Sequence, residues 1–409
     1  IMSAKLPEFL EEQYPPDLEL KLLQIVHRHG ERTPVRRRLE HMVPTIWNLC
    51  EANTAMFASI AEFNKQEKDG KKIQHVTQLP MERVLETDGS RKMAPAGCYY
   101  GQLTNLGRYR MNLLGERLRE FYVDKMKFLP DVFDEESIYL RSSEYPRTQE
   151  SVLQLIGGGL YPEHKRPMDF TGLKLHIRDP RDDLMFPNPN CYRLRALAKE
   201  FNKEVARNMH DKMESLSYRL RHHVKDVSLT SHPSANGILD TLVSAKVHGF
   251  PLPPEIDQNL FDDLESVVVH EWFYGAMQST EVRRLGLGRL MGLIRDRMNW
   301  KEDRGDKDKL KLAVYSGHDT TVGPLLIMMD AFDKKWPPFG SAVLFELFKQ
   351  KDKDQHFVRV RYNENALKLP GCQAEGNHKK GDPTLCTFEA FKNVVREQVP
   401  LDWEKECDK

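Results

Sequence analysis

The chain has 409 residues, of which 40% are hydrophobic, and its 61 lysines and arginines balance 61 aspartates and glutamates. That composition belongs to an ordinary globular protein with room for two or three structural units. Zero formal charge gives no argument for nucleic acid or an anionic membrane as partner, so any basic site has to be local.

No apolar run approaches the roughly 18 residues that cross a bilayer, so stable membrane insertion is not expected. The start lacks the basic, apolar and small-residue pattern of a signal peptide, and Met2 reads as a start methionine behind one extra residue. Residues 1–17 are polar, carry Pro15-Pro16 near their end and read as an N-terminal arm. Leu20 to Val26 is mostly apolar and predicts a buried strand. The strand leads into Val26-His27-Arg28-His29-Gly30-Glu31-Arg32-Thr33-Pro34, where Gly30 and Pro34 break regular structure. A strand end opening into a loop is where α/β sheets keep their ligands. The planar guanidinium forks of Arg28 and Arg32 suit phosphate oxygens. His29, beside the phosphorus, can act as a nucleophile that forms a covalent intermediate. The alternatives are a basic loop with a chance histidine, or an ion shared by His27 and His29. No His-x3-His or Cys-x2-Cys spacing elsewhere completes such a metal site.

Arg36-Arg37-Arg38 reads either as a rim that attracts anionic substrates or as a solvated turn. Pro44 to Phe63 predicts a helix with Trp47, Met56 and Phe63 as core contacts. Lys65 to Lys72 predicts a charged loop, and the rest to Gly97 a cover over the mouth of the site. Thr104 can cap a helix beginning near Gly107, whose Met111, Leu114, Leu118 and Phe121 share one face. Ile138-Tyr139-Leu140 predicts a short strand. It runs through Arg141-Ser142-Ser143-Glu144-Tyr145-Pro146-Arg147-Thr148 to a helix starting near Pro146, with Val152, Leu153 and Ile156 apolar.

Residues 160–190 are rich in Pro and Asp and lead into an inserted unit. Leu194, Leu197, Phe201, Val205, Met209, Met213, Leu216 and Leu220 recur at threes and fours, one long helix or two with a kink. This stripe reads as core packing, and His222-His223 near its end as a solvated pair. Further helices are expected at 236–248, 255–276 and 278–298. Lys301 to Lys311 predicts a charged loop, and Leu312 to Ser316 a strand ending at Gly317-His318-Asp319. A helix over Thr320 to Met329 tolerates Pro324 in its early turns. Val343 to Lys349 and Phe357 to Tyr362 predict paired strands, and Phe388 to Val399 a closing helix. The fold class is α/β: a central, mostly parallel sheet flanked by helices, with an inserted, mainly helical cap domain. The core spans 18–150 and 300–409, and the cap 160–298.

Of the six cysteines, Cys372 and Cys386 could staple the loop between them, and Cys191 and Cys407 could tether the C-terminal tail. Cys50 and Cys98 remain. The alternative is six reduced thiols in an intracellular protein. The chain holds no Asn-X-Ser/Thr acceptor, which leans the expectation towards a cytoplasmic or mitochondrial rather than a secreted protein.

The run Arg28-His29-Gly30-Glu31-Arg32-Thr33-Pro34 resembles the RHGxRxP signature of the histidine acid phosphatases, branch 2 of the histidine phosphatases. Gly317-His318-Asp319, after a strand, resembles the second half of that signature. The resemblance covers roughly residues 18–400 and implies a phosphohistidine mechanism without a metal or other cofactor. His29 would attack phosphorus, and Asp319 would protonate the departing alkoxide as general acid. His318 would donate a hydrogen bond to a phosphate oxygen. Arg147 would join Arg28 and Arg32 around the phosphate, because Arg147-Thr148 matches the Arg-Thr dipeptide of the family; Arg141 is the competing choice. Within the family, Gly101-Gln102-Leu103-Thr104, Leu114-Gly115-Glu116-Arg117-Leu118-Arg119, Lys335-Trp336-Pro337-Pro338-Phe339 and Gly371-Cys372 with Leu385-Cys386 look most like the lysophosphatidic acid phosphatase branch. The stretch Asn377 to Asp382 between the last two cysteines departs from that pattern.

The expected function is therefore hydrolysis of a small-molecule phosphate monoester, with inorganic phosphate as product and lysophosphatidic acid-like compounds as substrates. An inositol-polyphosphate phosphatase is the second reading, which Arg36, Arg37 and Arg38 would serve. A phosphoryl-transferring mutase shares the Arg-His-Gly start, but Asp319 directly after His318 argues against it. A phosphate-binding protein without turnover is the non-enzyme alternative.

Overall fold

The computed structural model describes residues 3–53, 55–66, 72–86 and 93–408. The first strand, β1 (Leu18–Arg28), is buried from Leu22 to Arg28 because it has a neighbour on each side and helices over both faces. Next, β2 (Ala55–Phe63) and β3 (Ile73–Glu82) pair antiparallel as a hairpin, followed by the short pair β4 (Leu85–Glu86) and β5 (Met93–Ala94). The hairpin replaces the helix expected over Pro44 to Phe63. Trp47 is 1% exposed, whereas Met56 and Phe63 stand 39% and 48% exposed and are not core contacts. Phe57, Ile60 and Phe63 are three apart, which mimics one helical face. The backbone is instead satisfied across strands, from Met56 opposite Met81 to Phe63 opposite Ile73. The charged stretch Lys65 to Lys72 and the approach to Gly97 lie partly outside the described residues.

The Thr104 side chain caps α1 (Asn105–Leu118) by accepting the Gly107 N–H. Met111, Leu114 and Leu118 face the core as their spacing predicts. Then β6 (Ile138–Ser142) leads into α2 (Pro146–Leu153), where Pro146 sits in the first turn and forfeits no helical bond. A helical block follows: α3 (Tyr192–Asn208), α4 (His210–Arg219), α5 (Ala235–Val247), α6 (Gln258–Gln278), α7 (Thr280–Gly286) and α8 (Gly288–Arg304). The long apolar stripe is thus two helices that part at Met209. The helix expected over 278–298 divides at Leu287 and runs on to Arg304, so the expected charged loop begins as helix. His223 is not a solvated residue. Its ring stacks on His41 at 5.3 Å and its Nε2 lies 2.7 Å from Glu255.

The chain then returns to the sheet with β7 (Leu312–Gly317) and α9 (Asp319–Met328), which holds Pro324 in its second turn. It closes with β8 (Ala342–Gln350), β9 (His356–Tyr362), β10 (Asn365–Ala366), β11 (His378–Lys379), β12 (Asp382–Thr387), α10 (Phe388–Val395) and α11 (Trp403–Cys407). The sheet order is β11-β12-β9-β8-β1-β7-β6, with β10 on β9. The site-bearing strands β1, β7 and β6 are parallel, and β8, β9, β12 and β11 extend the sheet antiparallel.

Two hydrophobic clusters cover the two sheet faces. Leu290, Met291, Leu325, Leu326 and Phe391 lie on one, and Met111, Leu114, Val152 and Ile156 on the other. A third cluster, with Leu216, Leu242, Leu264 and Val267, fills the helical block and takes in Trp47. Residues 3–17 are not a free arm. Phe9 stacks on Phe121 at 4.0 Å, and the Tyr14 hydroxyl donates at 2.6 Å to Glu346, which also pairs with Arg361 at 2.8 Å. These aromatic and polar anchors are what hold the segment down.

Disulfides join Cys50 to Cys98, Cys191 to Cys407 and Cys372 to Cys386. The reduced-thiol reading is thereby corrected.

Candidate active site

Three parallel strands end at one edge in register: Arg28 of β1 lies opposite Gly317 of β7, and Ser316 of β7 opposite Ser142 of β6. The residues that follow each strand therefore meet. His29, His318 and Ser143 come together above the sheet edge although some 290 residues separate the first two. The loop after β1 is held by backbone bonds. Arg28 N–H donates to Ser341 at 2.8 Å, His29 N–H to Gly317 at 3.0 Å, and His29 carbonyl accepts from Gly340 at 3.0 Å. Gly30 N–H donates to Ser151 Oγ at 3.0 Å.

The two imidazoles of His29 and His318 stand 5.7 Å apart, edge to face. Arg28 pairs with Asp319 at 3.1 Å and donates to the Pro337 carbonyl at 2.7 Å. Both Arg28 and Arg32 lie over the Phe339 ring, at 4.1 and 5.6 Å from its centre. Arg32 pairs with Asp240 at 2.8 Å. Arg147 lines the same cavity as His318 and Asp319, and it bears electrostatically on both histidines. Arg141 is not in the cluster; its Nε donates to the Tyr139 hydroxyl at 2.9 Å. His27 is turned away, with Nδ1 donating to the Arg28 carbonyl at 2.9 Å. The structure thus brings Arg28, His29, Arg32, Arg147, His318 and Asp319 together and leaves Arg141 and His27 out.

Charge in this cluster follows from burial and from the arginines. Burial pushes the His29 imidazole well below the ordinary histidine pKa, and Arg28, Arg147, Arg32 and His318 push it further. The neutral ring donates from Nδ1 to the Gly30 carbonyl at 2.8 Å, which leaves the lone pair on Nε2. Burial and Arg147 lower His318 to about 3. Its Nε2 lies 2.8 Å from Ser143 Oγ. Burial by itself would raise Asp319, but Arg28 and Arg32 outweigh it and hold the carboxyl below its usual range. Burial lowers Arg28 and Arg147 to about 10, which still leaves both cationic at physiological pH.

Two cavities open on this cluster. The smaller, about 150 Å³, is lined by Arg28, Arg32, Asp240, Asp319, Trp336 and Phe339. The larger, about 570 Å³, runs from Arg147, His318 and Asp319 along Phe186, Phe201 and Phe273 between α3 and α6. A cationic end joined to an apolar trough can hold a small anion with an apolar substituent.

Several residues of the site carry no sequence signal. Asp240 is one acidic residue on α5, and only the packing of the helical block over the sheet edge brings it to Arg32. Trp336 Nε1 donates to Asp319 Oδ2 at 3.1 Å. Ser143 and Thr148, 2.9 Å apart, support His318 from behind. Trp336 and Phe339 stand out in sequence only through the family resemblance.

Residues 19–363 match the histidine phosphatase superfamily (branch 2). A probable acid phosphatase of Schizosaccharomyces pombe is 31% identical over 461 aligned positions, covering 99% of this chain and 97% of the relative. Human lysophosphatidic acid phosphatase type 6 is 25% identical, over 97% of this chain and 87% of the relative. Among solved structures, Hafnia alvei phytase in complex with myo-inositol hexakis sulphate superposes with a TM-score of 0.62 at 15% identity, covering 96% of this chain and 99% of that one. That likeness speaks to the fold alone. A match over most of the chain, with a relative this similar along its whole length, leaves one assignment: the chain belongs to branch 2 of the histidine phosphatase superfamily.

Proposed function

We propose that the chain is an acid phosphatase that hydrolyses phosphate monoesters through a phosphohistidine, with substrates of the lysophosphatidic acid kind. The observation that carries the reading is the meeting of a neutral, buried His29 with Asp319 and three arginines at one sheet edge. Arg28, Arg32 and Arg147 hold the phosphate and balance the charge that builds in the transition state. His29 Nε2 attacks phosphorus, the P–O bond to the alcohol breaks, and Asp319 passes its proton to the departing oxygen. Water then attacks phosphorus and gives a proton to the Asp319 carboxylate; the new P–O bond forms as the P–N bond breaks, and phosphate leaves with the lone pair back on His29 Nε2. The free Asp319 is held ionised, so the acid form has to arise with substrate. A phosphate monoanion supplies both the proton and the negative charge that offsets the arginines. The reading therefore expects an acidic working range.

The apolar trough leading away from Asp319 supports an alcohol with a hydrocarbon chain. The inositol-polyphosphate reading lacks comparable support. Arg37 pairs with Glu40, the Arg38 guanidinium packs at Gly237, and none of Arg36, Arg37 and Arg38 lines either cavity.

Phosphate release from lysophosphatidic acid, an inositol hexakisphosphate and an aryl phosphate at mildly acidic pH tests the reading. The lysophospholipid should be hydrolysed at least as well as the aryl ester, and the hexakisphosphate poorly. His29→Ala should lower kcat by about a thousandfold or more with the thermal melt preserved. Near wild-type turnover in that variant rejects the nucleophile, and wild-type protein without turnover on any of the three supports the non-catalytic alternative.

A further inference from the structure

The wall of the larger cavity contains a carboxyl that the mechanism does not use. Glu271 lies on α6 beside Trp272 and one turn from Gly275, and all three line the cavity. The wall around it is otherwise largely apolar, with Phe186, Phe201, Phe273 and Ala276. Among the described residues, no hydrogen bond reaches its buried Oε2. The cations of the same wall are engaged elsewhere. Arg283 donates to Gln398 at 2.8 Å, to the Ala276 carbonyl at 2.8 Å and to Thr280 at 3.0 Å. Arg195 lies over the Tyr192 ring at 4.7 Å. A buried polar atom left unpaired costs free energy, and a group on a ligand can recover it.

Its place in the fold says which part of a ligand it meets. Trp272 packs edge to face on Trp336 at 6.4 Å, and Trp336 donates to Asp319 at 3.1 Å. The turn that carries Glu271 therefore stands on the leaving-group side of the phosphate site, past the atom that Asp319 protonates.

We propose that Glu271 determines specificity by hydrogen-bonding a neutral polar group, a hydroxyl or an ester carbonyl, on the alcohol half of a phosphate monoester whose hydrocarbon chain lies along the apolar wall. The inference rests on the phosphomonoesterase reading above and adds a polar subsite to it. Burial raises the Glu271 carboxyl to about 7, so in the acidic range it is protonated and both donates and accepts. A neutral acid matches a hydroxyl or carbonyl and offers no charge to an ammonium group.

The test compares kcat/KM on three esters of equal chain length: a plain alkyl phosphate, its analogue with a glycerol hydroxyl next to the phosphate-bearing carbon, and an analogue with an amine there. The wild type should prefer the hydroxylated ester to the plain one. Glu271→Leu should shrink that ratio by about tenfold or more, because a site that pairs with a hydroxyl discriminates far better than an apolar one. Glu271→Gln, which keeps a donor and an acceptor, should keep most of it. Glu271→Met serves as a second apolar variant should the leucine variant fold poorly. An unchanged ratio in the leucine or methionine variant overturns the inference, as does a wild-type preference for the amine that Glu271→Leu removes. Turnover of an aryl phosphate by the wild type separates the two readings. If it is present while the ratio stays fixed, only the Glu271 assignment fails; if it is absent, the phosphatase reading fails first.

Discussion

Asp319 carries two opposed demands. Its pairing with Arg28 at 3.1 Å favours the carboxylate, whereas the role proposed for it in bond cleavage needs the acid. The proposed resolution, a proton brought by the substrate, makes a prediction about leaving groups. Asp319→Asn should slow alkyl phosphates by about a hundredfold or more, within the range general acids contribute. Aryl phosphates, whose phenoxide leaving groups are stable without a proton, should lose much less. Steady-state rates on a matched alkyl and aryl pair decide this, and equal losses on both would remove Asp319 from the proton-donor role. At this scale the sequence is most informative where residues are neighbours. Arg28, His29 and Arg32 fall in one loop, and their side-chain chemistry names a phosphate before any coordinates exist. Asp240, Ser143 and Trp336 reach the site from three other segments; nothing in the local sequence of Asp240 or Ser143 marks them, and Trp336 stands out only through the family resemblance.

Among the secondary elements, the signature loop depends on a close approach to α1. A Cβ on Gly30 would stand 2.6 Å from the Gly107 carbonyl oxygen, and a Cβ on Gly107 would stand 2.2 Å from the Glu31 carbonyl oxygen. Both obstacles are backbone, which has no rotamer to give. Gly107→Ala should therefore push the helix off the loop, lowering stability by roughly 1–3 kcal/mol, the range for overpacking a well-packed interior. It should lower phosphatase activity along with stability. Denaturant unfolding and turnover measured on the same variant check both, and an alanine variant with unchanged midpoint and rate would contradict the packing argument. The expected positions of α1, α5 and α6 lie within about three residues of the observed helices, since each carries an apolar run bounded by a capping residue, Thr104, Ser234 and Asp257. Periodicity misread Pro44 to Phe63, where apolar residues three apart belong to a hairpin whose second strand lies beyond a charged stretch. A helix and a hairpin differ there only in where the backbone finds its partners, and spacing within one segment does not encode that.

For the molecule as a whole, an acid phosphatase that buries neutral histidines faces a stability cost as pH falls. Burial lowers His27 to about 4 in the folded protein, against about 6.5 in an unfolded chain. Above the unfolded value neither state binds the proton and His27 has no effect. As pH drops from there towards 4, the unfolded chain takes up a proton that the native state refuses, and stability falls, by about 3 kcal/mol at the limit. His29 and His318 act in the same direction. Unfolding free energy measured from pH 7 to pH 4 should therefore fall more steeply in the wild type than in His27→Asn, by up to one proton. Parallel curves would show that His27 titrates normally in the fold.

The sequence alone determined the candidate residues and their order along the chain: an arginine-flanked histidine after one apolar strand, a His-Asp pair after another, and helices between them. These were legible because strand ends, turn residues and side-chain reactivity are local properties. The tertiary structure alone decided that Asp240 answers Arg32, that residues 3–17 are packed down, and that Glu271 faces the trough with no hydrogen bond to its Oε2 among the described residues; it also kept Arg147, which the resemblance favoured, in the cluster and left Arg141 out. Each of these turns on which surfaces meet after the sheet and the helical block close over one another, and burial, the source of the shifted acidities, exists only in that assembled state.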